Sequence, residues 1–550
     1  MKAYLMYRDR DFDLKAAGPP LEAALTQDLE LNTLFAAMAA GDAFLLEVSR
    51  KAVLTSLAEP EAILYRQHIL ADCLHHPDIV RQMYAVTVEA FERRKGLWTW
   101  GWTPRYPEGL LHHSVEVLRL LVGVLRKLRR LAEQHGARFR SEGFTTLFRM
   151  LARELDDDYL GIVEDHLRRL TYPGGVLMSA ELGKGNKGTN YVLRALFKEP
   201  SWVERLVSWV KGWVIRGRSD LTFRLDDRDE AGFRALGELR GRGISLVASA
   251  LAQASDHVLD FFAMLRWELG FYVACLNLRD RLASKEEPIC LPEPVAPGQR
   301  TLCARGLYDL CLSLNMKQRV VGNDVSADGK RLVLITGANR GGKSTFLRSM
   351  GLAQLMMQCG MFVPAEAFRA NVCERIFTHF KREEDASMKS GKLDEELGRM
   401  SAIMDQITPN SILLLNESFA STNEREGSEI ARQIVRALLE AGVKVFYVTH
   451  MVDLAQSFYH AKTDGLLFLR AERLPDGRRT FRVIEGEPLP TSFGEDLFRR
   501  IFGVRDAVAA PAATSDDGRI TAGAKPAGRP PKAGALEETD GRKHHPESVS

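Results

Sequence analysis

The chain has 550 residues, 45% of them apolar and 27% charged, and a formal net charge of +3. That length calls for more than one domain, and the near balance of charge excludes a globally basic nucleic-acid binder, so any basic surface must be local. Seven cysteines (Cys73, Cys275, Cys290, Cys303, Cys311, Cys359, Cys373) lack C-x-x-C spacing, which argues against a metal site or disulfide framework and for reduced thiols.

Residues 1–11 turn charged before a signal-peptide core could form, and no apolar run approaches bilayer-spanning length. A soluble cytoplasmic protein without membrane contact is expected. Residues 20–95 carry helical periodicity, as in Phe44, Leu45, Val48 and Ala52, and again in Ile63, Leu64, Leu70 and Leu74. Glycines, prolines and Trp98, Trp100 and Trp102 interrupt it at 96–107. An aromatic plug between helices is the commoner use of such rings, and stacking on bases is the alternative. Residues 110–134 read as a long helix bearing Arg126, Lys127, Arg129 and Arg130, a solvated basic face unless a phosphate partner is shown. After a second helical stretch at 145–170, closely spaced glycines and the alternating 221–225 mark a small strand-containing insertion at 173–228. Helix resumes at 230 and runs to 283, apolar enough to require packing along other helices. A proline-rich connector at 288–300 leads into strands at 331–336, 411–415 and 443–448 alternating with helices, as a sheet with covered faces requires. A hairpin at 465–470 and 480–484 closes this part, and beyond 505 almost nothing is available to bury, so the tail reads as disordered.

Gly337, Ala338, Asn339, Arg340, Gly341, Gly342, Lys343, Ser344 and Thr345 fit G-x-x-x-x-G-K-[ST], between an apolar strand at 331–336 and a helix at 346–359. Glycines let backbone N–H groups turn onto a polyphosphate. The helix N-terminus adds partial positive charge, Lys343 adds a full one, and the Ser344 hydroxyl can ligate Mg²⁺. The strand at 411–415 ends in Asn416 and Glu417, and Glu417 is placed to orient an attacking water or take its proton. The strand at 443–448 ends in Thr449 and His450, spaced to sense a γ-phosphate. Ser390 opens a helix with Leu393, Leu397, Met400, Met404 and Ile407 at heptad-like steps. It is either an ordinary N-cap or part of an anion site that closes on a nucleotide bound by a second subunit.

Together with Asn323-Asp324, Gln358-Cys-Gly-Met-Phe-Val-Pro-Ala365, Glu395, Gly427 and the 491–495 segment, these motifs resemble, in order and spacing over 320–500, the ATPase domain of MutS mismatch-repair proteins. The preceding helices resemble the MutS core and lever more weakly, and 173–228 would correspond to the clamp. The resemblance implies an α + α/β fold: a helical core and lever region over 1–300, an ABC-like P-loop NTPase α/β domain over 301–504, and a disordered tail over 505–550. It further implies ATP, bound by the phosphate loop, with Mg²⁺ on Ser344 and Asn416. Glu417 and His450 would act in hydrolysis with Ser390 from the partner, in a homodimer that couples its nucleotide state to DNA in mismatch repair or related DNA maintenance. Three departures qualify this. Asn416 stands where the family has Asp, which weakens metal binding and turnover. Val320 stands where the family places an aromatic against adenine. The stretch ahead of the core helices has no room for mismatch-reading and connector domains and no Phe-x-Glu element, so direct mismatch reading is not expected. The alternatives are a weakly hydrolysing, nucleotide-gated dimer scaffold and an ATPase acting on RNA or ribosomes.

Overall fold

The computed structural model describes residues 1–97, 107–172, 177–184, 188–194, 230–382, 391–461 and 463–489. Trp98, Trp100, Trp102, Ser390, most of the 173–228 insertion and the tail beyond 505 lie outside them.

The first part is helical: α1 (Glu22–Asp28), α2 (Leu31–Ala39), α3 (Ala43–Leu54), α4 (Pro60–His75), α5 (Pro77–Leu97), α6 (Pro107–His135), α7 (Glu142–Glu154) and α8 (Asp157–Arg169). The stretch read as one helix at 145–170 is two. Leu155 leaves the helix, and Asp156 caps the next one by accepting from Tyr159 N at 2.7 Å. On α6 the apolar face (Val115, Leu121, Val122, Leu125, Leu128) is buried. Its basic residues are partly neutralised from within: Arg126 pairs with Glu164, Lys127 with Glu89 and Arg129 with Glu133, each within 2.7 Å.

Strands β1 (Leu177–Leu182) and β2 (Gly188–Arg194) form an antiparallel hairpin, the described portion of the insertion. Helix α9 (Glu230–Ala283) follows, about 80 Å long at 1.5 Å per residue. Its later turns bury Leu259, Phe262, Leu265, Leu269, Tyr272 and Leu276 against α2, α3, α5 and α6, whereas Leu246 near its start is 82% exposed. No helix among the described residues is long and apolar enough to cross a membrane.

The remaining elements are β3 (Glu293–Val295), β4 (Leu302–Leu307), α10 (Leu310–Asn315), β5 (Asn323–Ser326), β6 (Leu332–Gly337), α11 (Lys343–Gln358), β7 (Ala367–Asn371), β8 (Ile376–Phe380), α12 (Lys392–Met404), β9 (Ile412–Asn416), α13 (Glu424–Glu440), β10 (Lys444–Val448), α14 (Val452–His460), β11 (Leu466–Arg473) and β12 (Arg479–Glu485). They make a sheet of order β12-β11-β6-β10-β9-β8, parallel except for β12. Alternate residues face opposite sides. Val333, Ile335, Leu414 and Val448 meet Phe346, Leu347 and Met350 of α11. Leu334, Leu413, Leu415, Val445 and Tyr447 meet Met400 and Ile403 of α12, Ala431 and Val435 of α13, and Leu454 of α14. A second sheet, β3-β7-β4-β5, was not anticipated, and the connector at 288–300 contributes β3 to it.

One apolar core runs from the helices into the sheet. At the joint, the fully buried Arg66 of α4 donates from Nε to Met6 O (2.8 Å) and from Nη1 to Cys359 O (3.2 Å). Leu57 N donates to Gln358 O at 2.8 Å. The N-terminal segment is pinned to α9, where Leu5 N donates to Glu268 Oε2 at 2.7 Å and the Tyr272 hydroxyl donates to Leu5 O. Burial pushes the Glu268 carboxyl from its ordinary 4.5 up to about 7, against the Leu5 and Phe12 amides, which favour the charged form. Between those two pH values the folded protein holds a proton that the unfolded chain has released, so stability falls as pH rises through the window. The interval corresponds to about 3 kcal/mol. Urea unfolding at pH 5 and pH 8 should show Glu268→Gln losing about that much less stability than the wild type over the same range. Equal pH slopes in the two proteins would contradict the assignment.

Candidate functional site

Register aligns the carboxyl ends of three neighbouring strands. Val448 of β10 lies opposite Ile335 of β6 and Asn416 of β9. Two further bonds continue the alignment past the strand ends, Thr449 N to Ile335 O (3.1 Å) and Glu417 N to Val448 O (2.8 Å). The open edge of an α/β sheet at these ends is where such folds take ligands.

Gly337 has φ +105°, and a Cβ there would come within 2.9 Å of Ala471 N on β11; a Cβ on Gly341 would come within 2.7 Å of Ala471 Cβ and 2.9 Å of Ala338 O. Both positions therefore require glycine. Asn339 and Arg340 are exposed, and Gly342, in the left-handed region, turns the chain into α11. No side chain caps α11, which leaves its first amides for an anion. Lys343 is 5% exposed and donates from Nζ to Gly337 O (3.0 Å) and Ala338 O (3.1 Å), inside its own loop. Burial lowers its pKa, and the nearby Glu417 charge opposes that effect. Thr345 is half-buried in the first turn.

Ser344 Oγ donates to Asn416 Oδ1 at 2.8 Å, so the two residues expected to hold a metal meet across 72 positions of sequence. Both offer neutral, hard oxygens, a set suited to Mg²⁺ that keeps its waters and takes charge from a bound phosphate. Among the described residues no group of three or more His, Cys, Asp or Glu side chains forms a metal cage. Glu417 stands beside Asn416 in a left-handed conformation (φ +53°). His450 is the first cause holding its carboxyl below the usual carboxylate range, burial opposes, and the charges of Lys343 and Lys381 assist. The His450 Nδ1–Glu417 Oε1 separation is 3.8 Å, longer than a formed hydrogen bond.

The structure thus brings together the phosphate loop, Asn416, Glu417 and His450, while Ser390 lies outside the described residues. On α12 the expected apolar stripe needs correction. Met400 and Ile403 are buried, but Leu397 and Met404 are 37% and 39% exposed, because the buried face also carries Glu396. Sequence reasoning missed the contribution of β12. Arg479 Nε donates to Asn339 O (3.3 Å), and Phe481, half exposed with φ +61°, lies beside Gly342. Asn323 ties that edge together, accepting from Val483 N at 2.6 Å. From there opens a cleft of about 670 Å³ lined by Val320, Asp324, Glu287 and Arg319 among others. Val320 is held by its amide on Glu287 Oε1 (2.9 Å). The hairpin was legible; its fold back over the loop left no local signal.

Comparison with known proteins finds two family models in succession, the MutS2 N-terminal domain over residues 58–285 and MutS domain V over residues 333–508. The DNA mismatch repair protein MutS of Thermotoga maritima is 34% identical over 193 residues, 35% of this chain and 24% of that protein. Endonuclease MutS2 of Lacticaseibacillus casei is 31% identical over 219 residues, 39% of this chain and 26% of that protein. MutS protein homolog 4 of Mus musculus is 27% identical over 181 residues, 32% of this chain and 19% of that protein. The chain therefore spans about a quarter or less of the length of these relatives.

Proposed function

The chain belongs to the MutS family, and on that premise we propose that it is a cytoplasmic, DNA-binding ATPase whose homodimer responds to ATP. The observation that carries the reading is the meeting of Lys343, Ser344, Asn416, Glu417 and His450 at the ends of three adjacent strands. In this reading 1–300 is the core and lever region, 301–504 the ATPase domain and 505–550 a tail. The loop amides and Lys343 bind the polyphosphate, and Ser344 and Asn416 hold Mg²⁺, which supplies charge neutralisation at the phosphates. Glu417, kept ionised, orients water, and His450 sits against it facing the γ-phosphate position. Ser390 of the partner would complete the site in a dimer. The first half of α9, where Leu246 is exposed and the hairpin packs, is the end offered to DNA, in mismatch repair or related DNA maintenance.

Asn416 favours one second reading, in which ATP is chiefly a ligand that holds the dimer and hydrolysis is slow. Replacing the amide by a carboxylate adds a charge to the metal site, and for a working ATPase Asn416→Asp should raise turnover by no more than about tenfold. A gain of several hundredfold would favour the scaffold. ATP affinity, and affinity for mismatched, branched and plain duplex DNA and for RNA with and without ATP, are to be measured at stated salt, because phosphate contacts dominate such binding. Absence of ATP binding at millimolar concentration would sink the reading, and preference for RNA would redirect it.

A further inference from the structure

The turn that follows Glu417 is held in an unusual shape. Glu417 and Phe419 both have positive φ (+53° and +62°), and neither is glycine. Such residues are strained and persist where the surroundings over-determine them. Here the surroundings are largely one side chain. Glu396 of α12, 1% exposed, accepts from Phe419 N through Oε2 (2.9 Å) and from Ser421 Oγ through Oε1 (2.8 Å). Its backbone carbonyl takes a third bond, from His379 Nε2 of β8 at 3.0 Å. A carbonyl can only accept, so Nε2 carries the ring proton. Burial drives the His379 pKa down to about 4, and its Nδ1 lies 2.8 Å from Ser418 Oγ, whose hydroxyl donates to His379 O at 2.7 Å. The same ring stacks on Phe419, with centroids 5.4 Å apart, and the Tyr447 hydroxyl donates to Ser418 O at 2.7 Å. Every polar group of this buried cluster that reaches the turn acts downstream of Glu417, and two of the bonds come from a helix with no bond to Glu417 itself.

We propose that Glu396 is a positioning residue for Glu417: by fixing the left-handed turn at 417–421 it makes the placement of α12 set the placement of the carboxylate. The inference rests on the reading of Glu417 as the residue that orients water. Without Glu396 the amide of Phe419 and the hydroxyl of Ser421 lose their buried acceptor, the turn relaxes toward right-handed backbone, and the Glu417 side chain swings off the phosphate axis. The phosphate loop is untouched, because none of these bonds reaches Gly337–Thr345.

The test is a double-mutant cycle on the full chain, read as turnover and as nucleotide Kd. Glu396→Ala should lower kcat about thirtyfold with Kd within twofold. Glu396→Gln, which keeps an oxygen for Phe419 N and an amide that Ser421 can accept from, should recover to within about threefold of wild type. In a Glu417→Ala background, Glu396→Ala should produce no further loss, since residues that act as a unit are not additive. Should Glu396→Ala not fold, Ser421→Ala, which removes one of the two bonds, takes its place in the cycle with a loss of about threefold. Additive losses in the double variant, or kcat and Kd worsening together, would overturn the inference while leaving Glu417 in its role. Full turnover in Glu417→Ala alone would instead overturn the role of Glu417, and this inference with it.

Discussion

Lys343→Ala is expected to reduce ATP affinity on the order of a thousandfold, from the loss of charge-assisted hydrogen bonds to two phosphates at about 1.5–3 kcal/mol each. In the free protein the ammonium is desolvated and donates to two neutral carbonyls, Gly337 O and Ala338 O. Burial lowers its pKa, a sign that the charged form lacks full compensation until an anion arrives. The same fact predicts what the variant does to stability. Removing an under-compensated buried charge should leave the melting temperature unchanged or slightly raised, so lost binding cannot be ascribed to unfolding. Fluorescence titration with a labelled nucleotide and a thermal melt on the same sample decide it. A Kd within tenfold of the wild type would show that the loop is not the phosphate site.

Glu417→Ala should behave oppositely, binding ATP as well as the wild type or better while hydrolysing it about a thousandfold more slowly, within the range for a positioned general base. His450, and then Lys343 and Lys381, hold the Glu417 carboxyl below its ordinary range. It is therefore an ionised acceptor at neutral pH, able to take a proton from water. Deleting it also removes the negative charge closest to Lys343, which is why phosphate affinity should not suffer. With ATP present the variant should accumulate as a closed dimer, seen as a shift in sedimentation. Hydrolysis at the wild-type rate would remove Glu417 from the mechanism.

What could be read in advance follows from distance along the chain. The phosphate loop is one contiguous run whose glycines, lysine and hydroxyl each have a local reason, and β6 and α11 flank it as their apolar runs require. Asn416, Glu417 and His450 were legible as polar residues ending apolar strands, although the bond between Ser344 and Asn416 needed the parallel register to exist. The second sheet escaped because its strands are short and β4 pairs with β7 some sixty residues away. On α12, counting apolar residues selected Leu397 and Met404, while the buried face includes the carboxylate of Glu396. A buried glutamate becomes intelligible only once Phe419 N and Ser421 Oγ are seen to need it. Phe481 belongs to the same class: its position beside Gly342 depends on β12 folding back, not on its neighbours in sequence.

Helix α11 begins at Lys343 and ends at Gln358, a span of about 24 Å. Its first turn belongs to the phosphate loop, and its last residues carry the bonds from Leu57 and Arg66. A helix is stiff along its axis and yields sideways through the packing around it. The helix is thus a strut tied to the helical part of the molecule at its far end and also along its flank, where Arg348 pairs with Glu30 and Gly351 lies against Leu29.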